Sequence, residues 1–266
     1  MKVLIAIPAR YASTRYPGKP LVQLNSPDGT SKSLIQRSWE AACEVKGIDR
    51  VVVATDDERI KTAAAEFGAD VVMTSSHCVN GTERCAEALN NLGGGFDIVV
   101  NFQGDAPLTP AWFIEDLVAE LANHPTAEVA TPVLRCDGWA LNGFLEDRKA
   151  GRVGGTTAIF RQDSVAMYFS KEVIPYTARA YARDEDTPVF HHVGAYAYRP
   201  SALAAYPRWP VGPLEVQEGL EQLRFLEQGR PVLCVEVEAR GRQFWELNNP
   251  EDVPRLEQMM AEMGEQ

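Results

Sequence analysis

Apolar residues in this chain fall into short continuous runs alternating with stretches of helical period. Val3 to Ile7 is unbroken and closes on Pro8, the pattern of a fully buried strand. Ser33 to Lys46 places Leu34, Trp39, Ala42 and Val45 at helical spacing. Val51 to Thr55 predicts a second buried strand. Asp56 and Asp57 then cap a helix to about Phe67, which Gly68 stops. Ala69–Met73 predicts a third strand, a helix begins at Thr82, and Ile98–Phe102 predicts a fourth strand. Pro110 opens a helix to about Ala122, and Glu128–Val133 is a fifth strand. This β-α alternation predicts an α/β fold with a mostly parallel sheet flanked by helices. In such sheets ligands sit beyond the carboxyl ends of the strands, so the loops after Ile7, Val53 and Phe102 are where chemistry is expected.

The pattern changes after about Leu134. Asp137–Arg152 is polar and reads as a loop, while Gly155–Phe160 and Ser164–Phe169 read as short strands. His191–Tyr198 alternates as one strand, with His192, Gly194, Tyr196 and Tyr198 on one face. Leu214–Gln228 reads as one helix, Val232–Val237 as a strand, and Pro250 starts the last helix. With no internal repeat and no linker, the simplest arrangement is a single domain over residues 1–266 with an inserted subregion at about 135–200.

Charge narrows the partners. The net charge is −11, which disfavours nucleic acid and anionic membrane surfaces because both need many Lys and Arg contacts. Five scattered cysteines without a CxxC pair point to a reducing compartment. The apolar run at the N-terminus is too short for a signal-peptide core, so a cytoplasmic protein is expected.

Against that acidic background, Ala9 to Pro20 reverses sign, with Arg10, Arg15 and Lys19 and no acid. Arg offers forked donors, Lys a point charge, and Gly18 between prolines allows close backbone approach. Such a loop either cradles a polyphosphate or is simply solvated; the spacing is not that of a Walker A loop. Asn101–Pro107 ends the fourth strand. There Asp105 is either a turn former or a ligand for Mg²⁺ beside phosphates, and Gln103 could meet a sugar hydroxyl or base edge. In Gly81-Thr82-Glu83-Arg84, Thr82 reads as a helix cap and Arg84 as a substrate contact. Trp245–Asp252 hands a strand to a capped helix.

As an ordered set, PARxxSTRxPGKPL, ATDD, NGTER, NxQGDxP, YFSxxxIP, HxGxYxYR, PLE followed by LEQLR, and NPEDV run from Pro8 to Val253. The set resembles the 3-deoxy-manno-octulosonate cytidylyltransferase (CMP-Kdo synthetase) family. The resemblance implies a nucleotidyltransferase fold, a homodimer, CTP, Mg²⁺ and cytoplasmic activation of a sugar acid for lipopolysaccharide or capsule. It implies that Ala9, Arg10, Ser13, Arg15 and Lys19 bind CTP, with Arg10, Arg15, Lys19 and Asp105 catalytic. Gln103 would serve nucleotide and substrate, and Arg84, His192, Tyr196 and Glu215 the sugar acid. His192 is also a candidate general base.

Two positions depart from the family pattern. Asn248 stands where the family has a second metal-binding Asp. Glu246, two residues earlier and on the same face if Phe244–Asn248 is extended, could replace that carboxylate. Thr157 stands where a Lys is usual. Both changes leave the CTP loop intact. Cytidylyl transfer is therefore better supported than the acceptor, which could be Kdo or an amino-substituted or nine-carbon relative. A catalytically silent nucleotide-binding homologue is the reading from outside the enzymes.

Overall fold

A computed structural model describes residues 1–12, 16–153, 155–242 and 246–263. In chain order its elements are β1 (Val3–Ala9), β2 (Gln23–Asn25), β3 (Ser31–Ser33), α1 (Leu34–Cys43), β4 (Arg50–Thr55), α2 (Glu58–Glu66), β5 (Asp70–Met73) and α3 (Gly81–Asn91). Next come β6 (Ile98–Asn101), α4 (Ala111–Asn123), β7 (Val129–Asp137), α5 (Gly138–Lys149), β8 (Thr156–Phe160), β9 (Ala166–Ser170), β10 (Asp186–His192) and β11 (Tyr196–Tyr198). The chain closes with α6 (Pro200–Ala205), α7 (Pro213–Glu218), α8 (Leu223–Glu227), β12 (Val232–Glu236) and α9 (Asp252–Met263).

The chain divides into two units. The first comprises Met1–Glu115, Tyr198–Ala204 and Ala239–Gln266, and the second Asp116–Ala197 and Ala205–Glu238. The second thus begins before residue 135 and takes in β12. In the first unit the strands run β5-β4-β1-β6, all parallel, as the β-α alternation predicts. Val3 to Ile7 is fully buried, as an apolar strand covered on both faces must be. The register pairs Ala9 with Thr55 and Ala6 with Asn101, so β1, β4 and β6 release their loops at one edge. Leu247, Leu256, Met259 and Met260 pack on Leu24, Leu34 and Leu108, which fastens the C-terminal segment to the same unit.

The second unit is mixed. Strand β12 runs parallel to β7, whereas β10 pairs antiparallel with both β7 and β8, and β8 with β9. The expected α/β class holds, and the β2–β3 hairpin of the first unit is antiparallel too.

Four local expectations are corrected. Asp137–Arg152 is not a loop: β7 runs to Asp137, whose carboxylate caps α5 by accepting Ala140 N–H at 2.8 Å. Leu141 packs with Cys136 and Val189, and Ala140, Phe144 and Leu145 line the same cluster, so the helix has an apolar face that its polar content hides. His191–Tyr198 is not one strand. A tight turn, Ala195 N–H to Val193 O at 2.7 Å, separates β10 from β11. The helix expected over Leu214–Gln228 is two, because Gly219 at φ 63° ends α7 in the left-handed conformation that favours glycine. Finally, α3 is capped by Asn80, which accepts Glu83 N–H at 2.9 Å. Thr82 is instead buried, hydrogen-bonded to Tyr198 Oη at 2.7 Å.

Candidate active site

The carboxyl edge of the first unit's sheet gathers the charged motifs. The loop after β1 closes on itself where Gly18 N–H donates to Tyr11 O at 2.9 Å. Gly18 has φ 73°, a conformation that favours glycine, and a Cβ there would stand in tight contact, 3.2 Å, with the Tyr11 ring. A short 3-10 turn, Lys19–Leu21, follows and turns Lys19 back to the sheet. Lys19 Nζ donates to Asp105 Oδ2 at 2.5 Å, with the side chains 14% and 24% exposed. Arg10 is exposed beside them in sequence, and Ala9 is buried as the last residue of β1. Ser13 and Arg15 lie outside the described residues.

Asp105 is set by backbone. A Cβ on Gly104 would come within 2.8 Å of Pro8 O, so this turn can press against the end of β1 only with glycine. The buried Ser38 hydroxyl donates to Gly104 O at 3.1 Å, and Leu247 N–H donates to Asp105 O at 2.9 Å. The second of these bonds brings the segment with Glu246 and Asn248 to the turn, where both are partly exposed. Residues 246–248 form no strand, and Phe244 lies outside the described residues. The shared-face argument for Glu246 therefore has no strand to rest on. Asn248 N–H and Asn249 N–H both donate to Asp252 Oδ2, at 2.9 and 2.7 Å, which fixes the backbone there.

Arg84, at 3% exposure, is more enclosed than a surface substrate contact would be. Its Nη1 donates to Thr74 Oγ1 at 2.6 Å and lies 3.4 Å from Asp56 Oδ1. That last approach is an ion pair by distance but is not aligned as a hydrogen bond, because Asp56 Oδ1 accepts none. Asn101, fully buried at the end of β6, has neither amide atom hydrogen-bonded. Asp56 and Asn101 stand in the quoted motifs, but from sequence Asn101 had no role and Asp56 only that of a helix cap, which falls to Asp57.

His192, Tyr196 and Glu215, expected on the acceptor side, are in the second unit and are buried. His192 Nε2 meets Thr131 Oγ1 at 2.9 Å, and its ring lies edge-on to Phe169 at 5.0 Å and 5.7 Å from the Tyr196 ring. Burial pushes its pKa down to about 3, with His191 adding to the effect, so the ring is neutral and a poor proton acceptor. Tyr196 Oη donates to Gln222 Oε1 at 3.0 Å. Glu215 accepts two bonds from Arg224, Nε at 2.7 Å and Nη2 at 2.8 Å, in a pair 10% and 2% exposed. Arg224, Gln222 and Thr131 were not singled out from sequence, although Gln222 and Arg224 stand in the LEQLR segment.

Among the described residues no group of three His, Cys, Asp or Glu side chains could cage a metal by itself. Mg²⁺ commonly needs only one or two carboxylates together with substrate phosphates and water. Asp105 at the strand end, paired with a phosphate-seeking Lys19 and tied to the segment bearing Glu246 and Asn248, fits that mode of binding.

A family model described as cytidylyltransferase matches residues 4–236. The chain is 43% identical over 265 residues to a 3-deoxy-manno-octulosonate cytidylyltransferase of Maricaulis maris, covering 100% of this chain and 99% of that protein. It is 39% identical over 266 residues to an 8-amino-3,8-dideoxy-manno-octulosonate cytidylyltransferase of Shewanella sp., covering 98% and 99%. A solved CMP:2-keto-3-deoxy-manno-octonic acid synthetase complexed with CTP superposes with a TM-score of 0.83 at 31% identity, covering 99% of this chain and 100% of that one.

Proposed function

From the chain's place in the cytidylyltransferase family, to which it belongs alongside the 3-deoxy-manno-octulosonate cytidylyltransferases, we propose that it transfers CMP from CTP to a 3-deoxy-2-ulosonic acid and releases pyrophosphate. The observation that carries this reading is the Lys19–Asp105 pair, held at the strand edge beside the basic loop. The anomeric oxygen of the sugar acid attacks the α-phosphorus and loses its proton to solvent. The bond from that phosphorus to the bridging oxygen breaks in line, and pyrophosphate leaves. Little covalent chemistry is asked of the protein, so positioning and charge neutralisation do most of the work. Lys19 and Arg10, with Arg15, offset the charge that gathers on the leaving pyrophosphate. Gln103 and the backbone at Ala9 and Arg10 present hydrogen-bonding groups to the nucleoside. Asp105, with Glu246 or Asn248, would hold Mg²⁺, which supplies further charge neutralisation at the phosphates.

We take 3-deoxy-manno-octulosonate as the acceptor, since relatives acting on it match at up to 43% identity. The 8-amino-3,8-dideoxy sugar is the second reading, because the Shewanella relative named for it matches at 39%. His192, Tyr196 and Glu215 are assigned to the acceptor side. Family membership also supports a homodimer, which sedimentation would test, and a cytoplasmic site of action, where CTP is made. The deciding experiment measures pyrophosphate release with CTP, UTP and ATP against a panel of octulosonic, 8-amino-octulosonic and nine-carbon acids. We expect turnover with CTP and the octulosonic acid. CTP binding without turnover on any acid would make the chain a silent homologue.

A further inference from the structure

The loop that carries Lys19 is gripped from outside its own sequence. Arg59, in the first turn of α2, lies over the Tyr11 ring, its Cζ 3.3 Å from the centroid. The guanidinium is itself oriented: Nε donates to Asp57 Oδ1 at 2.9 Å and Nη2 to Asp57 Oδ2 at 2.7 Å. Asp57 is fixed in turn as the N-cap of α2, where it accepts Arg59 N–H at 2.9 Å. On the other side, Tyr11 O receives the Gly18 N–H, and the ring fills the space a Gly18 side chain would need. Gly18 leads directly into Lys19, whose ammonium reaches Asp105. One contact chain thus runs from the cap of α2 through Arg59, Tyr11 and Gly18 to Lys19.

We propose that Arg59 is a positioning residue for CTP binding, acting through the Tyr11 ring to hold Tyr11, Gly18 and Lys19 in place before nucleotide arrives. A loop of this kind loses conformational freedom when it binds, and a contact made in advance lowers that cost. The guanidinium is suited to the task because a flat cation stacks on an aromatic face, and its fork is pre-oriented by a carboxylate. Asp57 holds the Nε–Nη2 edge of the Arg59 guanidinium, so Arg59 is assigned the ring contact and not a phosphate. The inference rests on the reading of Ala9–Pro20 as the CTP loop.

The test measures CTP binding directly by calorimetry without acceptor, alongside steady-state kinetics, in the full-length protein. Arg59→Ala should weaken CTP about two- to five-fold, the range of an exposed cation–π contact. kcat and the KM for the sugar acid should stay near the parent's. Tyr11→Leu should reproduce the effect, and the double variant should be no worse than the poorer single one, because both remove the same contact. Tyr11→Phe, which keeps the ring, should restore CTP affinity to near the parent's. Unchanged CTP affinity in Arg59→Ala, or additive losses in the double variant, would overturn the proposal. So would a loss of about a hundred-fold that Tyr11→Leu does not share, which would make Arg59 a phosphate contact. If the parent itself fails to bind CTP, the functional reading is what has failed.

Discussion

The strand-edge cluster of the first unit and the polar cluster of the second are built on opposite principles. Lys19 and Asp105 are partly open and come from loops whose backbone is pinned by Gly18, Gly104 and Leu247. In the second unit Glu215 is fully engaged by Arg224, His192 by Thr131, and the Tyr196 hydroxyl by Gln222. There the polar groups are buried and bonded to one another, Gln222 Nε2 excepted, so they determine shape before they contact any ligand. The first region thus rests on partly open charge, and the second on a buried network. Substitutions should accordingly cost catalysis in the first region and folding in the second.

The largest expected effect is on folding. Arg224→Ala would leave the Glu215 carboxylate buried without its partner, which costs about 3–5 kcal/mol of stability. Glu215→Gln with Arg224→Met should recover much of that loss, because no charge is then stranded. Chemical denaturation of the single and paired variants checks this. Equal stability of Arg224→Ala and the parent would show that the pair is not enclosed in solution.

In the first region, Lys19→Ala should lower turnover about 10²- to 10³-fold, as when a donor to developing charge is removed, with little change in denaturation midpoint. Arg15→Ala is expected to follow it. Parent-like kinetics in both would remove the loop from the active site.

A smaller effect separates the regions by pH. His192 keeps its neutral form to about pH 3 in the folded protein because burial disfavours the cation, whereas unfolded it takes a proton near 6.5. Between those values the unfolded state binds more protons. The stability associated with His192 is therefore complete above pH 6.5 and is lost as pH falls toward 3, by about 1.4 kcal/mol per pH unit. Comparing the melting temperature at pH 7.5 and 5.5 for the parent and His192→Gln tests it. The parent should lose more on acidification, and equal slopes would mean that His192 titrates normally.

How much of this was legible in sequence follows from the range of the contacts. Strands β1, β4, β5 and β6 are visible because each is a run of β-branched or apolar residues, and the Lys19 loop because its charge contrasts with the chain. The helix α5 was hidden by its glycines and acids, although Leu141, Phe144 and Leu145 keep helical spacing. The β2–β3 hairpin is three polar-rich residues a side and carries no period to detect. The Glu215–Arg224 pair spans a helix break at Gly219, and Arg59–Tyr11 joins residues 48 apart in sequence. Only the folded chain shows such partners.

The contrast is sharpest at the proposed Mg²⁺ site, which the first region would complete with Glu246 or Asn248. Leu247 is buried, and its N–H on Asp105 O brings Glu246 and Asn248 to the strand end as neighbours of the tie. A carboxylate and an amide differ by a full charge beside a divalent cation, so a metal titration can tell them apart. We expect Asp105→Ala to lose Mg²⁺-dependent activity. Glu246→Gln should raise the Mg²⁺ concentration for half-maximal rate about ten-fold, of the order seen when a metal's supporting groups are removed. Asn248→Asp should lower it, by adding a carboxylate where the family pattern has one. A silent Glu246→Gln together with a tighter Asn248→Asp would assign the ligand to Asn248. If both behave as the parent while Asp105→Ala is inactive, Asp105, the phosphates and water hold the ion, and the lost aspartate has no substitute.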